Sequence, residues 1–208
     1  MKYRWKKFGY LILIAYLMIG FLVWPSLGVV ALVCMLAPVI LAPFRGREWC
    51  GLYCPRGSLW DTVLAKTITR REVPKWAKEK AFRVFMLIFI FTVFGIQAYY
   101  AWPSINLIGL VFLRIIFITT LVGIILALIY SPRTWCNFCP MGTLAAWAAT
   151  LKKGINVSEN CVNCKLCTKA CPMNLRPMDA KGSKFTDKDC LKCNACVDVC
   201  PKKALVIE

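Results

Sequence analysis

Apolar residues fall in long blocks along this chain rather than alternating. Mostly apolar runs occupy residues 8–24, 27–44, 83–102 and 105–130. Each is close to the ~17–25 residues a helix needs to cross the hydrocarbon core. Pro25-Ser26 parts the first two runs and Pro103-Ser104 the last two, and neither turn carries a charge. The pattern predicts four transmembrane helices arranged as two hairpins. Beyond them the blocks stop. Ile155, Val157 and the stretch from Leu205 to Ile207 read as short strands closing a small domain. The expected fold class is therefore a membrane all-α unit over 1–154 followed by a small α+β domain over 155–208.

Composition agrees with the blocks. The chain is 59% hydrophobic, with a mean hydropathy of +0.60, too apolar for an ordinary soluble domain. It holds 13 cysteines and no histidine. Without histidine it supplies no His-ligated haem, Rieske centre, His base or His-ligated zinc. Thiolate chemistry remains.

The formal charge of +17 raises nucleic acid as a partner, but its distribution argues otherwise. Residues 1–7, 45–83 and 131–208 contain 26 of the 27 basic residues and all ten acids. Only Arg114 lies within a run. The positive-inside rule then puts both termini on the cytoplasmic side and both Pro-Ser turns outside. The expected location is the cytoplasmic membrane, multi-pass, with no nucleic acid bound. Trp24, Tyr99, Tyr100 and Trp102 would form the outer aromatic belt and Tyr3 and Trp5 the inner one. Residues 1–25 read as an uncleaved first span, with no A-x-A-like cleavage site. Arg114 reads as a structural cation that Gln97 or Asn106 could bond, or as a side chain snorkelling to the outer face, with a contact to a quinone or an acidic partner as the other reading; Cys34 reads as a small apolar filler.

The C-terminal motif is the most specific signal. "CVNCKLCTKACP" over 161–172 and "CLKCNACVDVCP" over 190–201 are both C-x2-C-x2-C-x3-C-P, 29 residues apart. That is the spacing of bacterial two-cluster ferredoxins, in which the fourth cysteine of each motif serves the other cluster. Cys161, Cys164, Cys167 and Cys200 are expected to hold one [4Fe-4S] cluster. Cys190, Cys193, Cys196 and Cys171 are expected to hold the second. Zinc knots and disulfides fit eight cysteines in this arrangement poorly.

The first 154 residues also repeat. Each half is a hairpin followed by W-C-x(2–3)-C-P-x-G-[ST]-L, so that Trp49, Cys50, Cys54, Pro55 and Gly57 match Trp135, Cys136, Cys139, Pro140 and Gly142. Ser58 and Thr143 read as N-caps of two amphipathic helices lying along the inner membrane surface, "LWDTVLAKTI" and "LAAWAATLKK". The repeat brings both cysteine pairs to one membrane face. Cys50, Cys54, Cys136 and Cys139 are candidate ligands of an additional iron–sulfur cluster; free or redox-active thiols are the other reading.

These motifs together resemble the polytopic membrane ferredoxins of the NapH type, with related modules in NosR-type regulators and FixG/CcoG-type proteins. The resemblance covers nearly the whole chain. It implies an electron-transfer subunit of a redox complex rather than a stand-alone enzyme, working between a cytoplasmic donor or acceptor and a quinone or another membrane redox subunit. The family's usual membrane motif has three intervening residues in both copies, and "CNFC" departs from it. A FixG/CcoG-like metal-reducing or assembly factor using the membrane cysteines is the alternative. A redox sensor is a third reading, without a dedicated output domain.

Overall fold

A computed structural model of the chain describes residues 2–68, 71–149 and 154–207, with side chains described from Lys6 to Val206 within those stretches. The expected inner-belt side chains of Tyr3 and Trp5, and the end of the helix expected over 144–153, lie outside them.

Helix α1 runs Lys2–Leu22. A 3-10 segment, Pro25–Val30, leads into α2, Ala31–Arg45. Gly46, at φ 61°, ends α2, a left-handed φ that glycine adopts without a Cβ clash. Two short helices follow, α3 (Glu48–Leu52) and α4 (Pro55–Leu59). α4 continues through a π-helical turn, Trp60–Leu64, into α5, Ala65–Thr67. The second half repeats the plan: α6 (Lys80–Ala101), α7 (Ile105–Ile129), α8 (Thr134–Phe138) and α9 (Pro140–Ala148).

Three segments, Pro25–Arg45, Lys80–Ala101 and Ile105–Ile129, are long and apolar enough to cross a membrane. α1 is helical over 21 residues. Phe85, Ile88 and Phe89 of α6 and Ile118, Ile125 and Leu128 of α7 point outward and are exposed. Contiguous apolar surface of this extent belongs against lipid rather than water.

Helix contacts within the bundle rely on missing side chains. A Cβ on Gly28 would run into the carbonyl of Gly109, and one on Gly109 into that of Pro25, so the two backbones touch directly, as small residues permit in membranes. A Cβ on Gly123 would lie 2.7 Å from the ring of Trp60, which is 1% exposed. An aromatic group formed by Trp76, Phe82, Trp135 and Phe138, with centroids 4.8–5.8 Å apart, closes the inner end beside Val73 and Ala77.

The structure corrects several sequence expectations. α4 and α9 start three residues earlier than Ser58 and Thr143, with Pro55 and Pro140 in their first turns and Cys54 and Cys139 as their N-caps. Proline suits a first turn because its missing N–H would be unpaired there in any case. Ser58 and Thr143 are buried instead, at 3% and 0% exposure. Ser58 Oγ donates to the Lys6 carbonyl and accepts from the Tyr10 amide, so it ties α4 to α1. α9 packs against α2 and α6, and most of its residues are buried. Arg114 is exposed on α7, and neither Gln97 nor Asn106 bonds it among the described residues.

The C-terminal part is built on a three-stranded antiparallel sheet in the order β2-β1-β3, with β1 Ile155–Val157, β2 Lys184–Phe185 and β3 Leu205–Ile207. The apolar positions expected to form strands do so in β1 and β3, paired Ile155 to Ile207 and Val157 to Leu205. β2 has no apolar signature and was not legible. Helices α10 (Leu166–Ala170) and α11 (Ala195–Asp198) each follow a cysteine loop. Ile155, Val157, Met178 and Leu205 form the core together with Cys167 and Cys196.

Candidate metal centres

In the C-terminal part the chain turns sharply around its cysteines. Six non-glycine residues have positive φ: Asn163, Lys165, Asn174, Lys192, Asn194 and Lys203. They form three pairs at the 29-residue offset of the sequence repeat. Such angles are unfavourable for residues bearing a Cβ and concentrate at functional sites. They let C-x2-C-x2-C fold back on itself instead of forming a regular helix. The Leu175 amide lies 3.4 Å from Cys171 Sγ, and the repeat-related Ala204 amide lies 3.3 Å from Cys200 Sγ. Backbone donors aimed at sulfur stabilise negative charge there.

The cysteines gather into two sets. Cys161, Cys164, Cys167 and Cys200 line one pocket. Cys171, Cys190, Cys193 and Cys196 line another, with no lining residue in common. Each pocket thus takes three cysteines from one motif and the last cysteine of the other. Among the described residues no three or more Cys, Asp or Glu side chains close in as they would around one metal ion. Burial pushes the Cys190 and Cys196 thiols up to about 11 and 12, so without metal they hold their protons, and metal binding must release them.

The third set lies at the inner end of the bundle. Cys50 is in α3, Cys136 is in α8, and Cys54 and Cys139 cap α4 and α9. All four line one cavity of about 240 Å3. The unequal spacings of "CGLYC" and "CNFC" therefore do not prevent convergence. Cys34 lines the same cavity, so its surroundings are not those of a packed apolar filler. Burial raises the Cys50 thiol above its ordinary value, and Arg47 offsets only part of that; burial raises Cys54 to about 12.

Of the three arginines that line this cavity, Arg47, Arg56 and Arg133, two are fully buried, and sequence reasoning overlooked the role of both. Arg47 and Arg133 are each 1% exposed, and each stands two residues before its motif tryptophan. Each crosses to the other half of the repeat. Arg47 Nη2 donates to the Cys136 carbonyl at 2.7 Å, and Arg133 Nη1 donates to the Cys50 carbonyl at 2.9 Å. Arg133 Nη1 also lies 3.5 Å from Cys136 Sγ. Gly57 and Gly142 make room for them: an added Cβ would lie 2.9 Å from the Arg133 guanidinium and 2.6 Å from that of Arg47, respectively. The missed signal was a longer repeat, R-x-W-C in place of W-C.

Each arginine has a carboxylate. Asp61 accepts from Arg133 Nε and Nη2 at 2.9 and 2.8 Å and pairs with Lys6 at 2.6 Å. Burial works to raise the Asp61 pKa, but Arg133 and Lys6 outweigh it and hold the carboxyl well below its usual range. The carboxylate for Arg47 comes from the C-terminal part. Asp189 accepts from Arg47 at 2.8 Å and from both Nη atoms of Arg83 at 3.0 and 2.6 Å. Asp189 immediately precedes Cys190, and the Leu191 carbonyl sits where a side chain on Gly51 would be. The Cys190 loop is thus seated against the loop that carries Cys50.

Further donors around the cavity have no hydrogen-bond partner among the described residues: Arg47 Nε, Trp49 Nε1, Arg56 Nε and Nη2, and Trp135 Nε1. Unpaired buried donors are costly. A cavity lined by four thiols and by N–H groups without acceptors fits an anionic, sulfur-rich occupant, and a thiolate-ligated iron–sulfur cluster has that chemistry.

Three stretches of the chain match known iron–sulfur families. Residues 160–205 match the 4Fe-4S dicluster domain family. Residues 27–72 and 106–158, each the second long helix of one half of the repeat with the cysteine motif that follows it, match a 4Fe-4S binding domain family. Two uncharacterized proteins of Methanocaldococcus jannaschii, MJ0750 and MJ0749, are each 26% identical, over 66% of this chain and 63% and 56% of their own lengths. The chain thus spans less than two thirds of these relatives. No solved structure matches. NapH or NosR specificity is not among these matches; with 4Fe-4S families matched in both parts, the chain is an iron–sulfur binding protein that carries three helices long and apolar enough to cross a bilayer.

Proposed function

We propose that this protein is a membrane-anchored electron carrier with three iron–sulfur clusters. Two would occupy the C-terminal quartets, Cys161, Cys164, Cys167 and Cys200, and Cys190, Cys193, Cys196 and Cys171. The third would be held by Cys50, Cys54, Cys136 and Cys139. Bound clusters supply reversible one-electron storage. In this reading α1 is a fourth span and both termini face the cytoplasm, as the segregation of basic residues supports.

The observation that carries the proposal is the convergence of four cysteines from two repeat halves on one cavity, walled by buried Arg47 and Arg133. These residues place positive charge and fixed donors beside the sulfurs. The Asp189 contacts hold the Cys190 loop against the same site, so the C-terminal part and the bundle form one relay. Beyond the cysteines the cavity is walled by Ile12, Leu13, Tyr16, Met35 and Ile116. An acceptor within or beside the bilayer, a quinone or another membrane redox subunit, would meet the relay there.

Iron and sulfide quantification with electron paramagnetic resonance tests this. Wild type should hold about twelve irons, three cubanes' worth. Cys50→Ala with Cys139→Ala should remove about a third of the iron and leave the signals of the other two centres. An unchanged iron content in that variant would refute the third cluster.

A second reading has an observation of its own. Met35, Met141 and Cys34 join the four cysteines around the cavity, and soft thioether and thiolate donors select Cu(I). A metal-reducing or assembly role would then use the bundle site for copper. Stoichiometric copper retained by wild type and lost with Cys50→Ala would favour it over the third cluster.

A further inference from the structure

The two cysteine loops of the C-terminal part are related by the 29-residue repeat, yet they meet different surroundings. Leu191 is 2% exposed and lies against Gly51, whereas its counterpart Val162 is 59% exposed. Asp189 is held by Arg47 and Arg83, and the corresponding residue is Asn160. Met173 is 1% exposed, and its counterpart Lys202 is exposed. Asn174 reaches the Arg71 carbonyl of the bundle at 3.4 Å. The Cys190 end is therefore docked, and the Cys161 end is open. The core lies between the two pockets, with Ile155 on one and Met178 and Leu205 on the other.

The open end has a composition of its own. Cys164 is exposed, as are Val162 and Leu166 on either side of it. Lys165 and Lys202 line the same pocket as Cys161, Cys164, Cys167 and Cys200, and exposed Lys169 and Lys203 lie beside them in the chain. Residues 160–170 and 199–204 contain no acid; the nearest in sequence are Glu159 and Asp198. A small apolar patch rimmed by lysines over a redox pocket suits brief electrostatically steered encounters.

We infer that the Val162–Leu166 loop with Lys165 and Lys202 is the docking surface for a soluble acidic one-electron protein, and that the Cys161 quartet exchanges electrons with it. The inference rests on the electron-carrier reading above. The Cys190 quartet is then the internal station, facing the bundle. In the exchange one electron leaves the soluble protein and reduces the Cys161 centre, or returns by the reverse step, and no bond is made or broken.

The test uses the full, cluster-loaded chain in phosphatidylcholine nanodiscs. Its reduction by a photoreduced acidic flavodoxin is followed by stopped flow, with dithionite as a small reductant that needs no docking. Lys165→Glu with Lys202→Glu should slow reduction by flavodoxin about tenfold at low salt, and the gap should close near 0.5 M salt, where screening is nearly complete. Dithionite should reduce the variant as fast as wild type, and Lys66→Glu with Lys75→Glu, on the bundle side, should leave the flavodoxin rate unchanged. Equal rates for wild type and the Lys165/Lys202 variant at low salt would overturn the inference. So would a wild type reduced by dithionite but not by flavodoxin. A charge-reversal effect appearing only in nanodiscs containing phosphatidylglycerol would assign the lysines to lipid and overturn it too. Failure of dithionite to produce any reduced cluster signal would instead sink the electron-carrier reading itself.

Discussion

Replacing Asp189 with Asn should release the Cys190 loop from the bundle. Among the described residues Asp189 is the one carboxylate bonded to both Arg47 and Arg83, whose side chains are 1% and 9% exposed. Removing one partner from a buried ion pair costs about 3–5 kcal/mol, because the other charge stays buried without compensation. Asp189 itself is 21% exposed, and water at that edge solvates part of what is lost, so the lower end of the range applies. About 3 kcal/mol corresponds to roughly a hundredfold change in the docked-to-undocked ratio, at 1.4 kcal/mol per factor of ten. Hydrogen–deuterium exchange of the amides in 187–194 and 46–52 reads that ratio directly, since both loops lose protection if they separate. The expected result is a loss of protection in both segments of up to about a hundredfold, with iron content unchanged because every cysteine remains. Protection unaltered in Asp189→Asn and also in Asp189→Ala would refute the argument. It would mean that the Leu191–Gly51 backbone contact alone seats the loop.

Three further outcomes follow from the same geometry. Asp61 has a folded pKa depressed by Arg133 and Lys6, so its stabilisation is complete above the unfolded carboxyl pKa of about 3.9 and is lost as pH falls through the folded value. Thermal unfolding of metal-free protein, followed through tryptophan fluorescence, should be insensitive to this group from pH 8 to 5 and weaken below about pH 4, with that acid step absent in Asp61→Asn. Arg133→Leu removes donors to the Cys50 and Gly57 carbonyls and leaves Asp61 with Lys6; it should destabilise the fold by about 3 kcal/mol or more and lower the midpoint potential of the cluster proposed for the bundle, both measurable by unfolding and redox titration. Gly109→Leu drives a side chain into the backbone at Pro25 and Ser26; overpacking of this kind costs about 1–3 kcal/mol and should appear as a lower melting temperature in detergent, whereas Gly95→Leu, with nothing within 4 Å, should leave it unchanged.

The grouping of the eight C-terminal cysteines was legible because their spacing acts locally: three cysteines within seven residues line one pocket only through tight turns. The helices were legible for a similar reason, since a lipid-facing stretch is apolar along its whole length whatever it packs on. The cysteine pairs of the bundle announced themselves as a repeat, and the repeat already implied a shared membrane face. The tertiary structure alone decided what stands around them. Arg47 and Arg133 look like ordinary cytoplasmic-rim charges in the sequence, and only the crossing of the two halves buries them against the opposite cysteine carbonyls. Ser58 and Thr143 have the side chains of caps, yet Pro55 and Pro140 start their helices a turn earlier and leave both residues to the interior. The asymmetry between two nearly identical cysteine loops also lies outside local pattern. It arises from Asp189 meeting two arginines that are 106 and 142 residues away, because charge pairing across such distances depends on how the chain packs and leaves no periodic trace in the sequence.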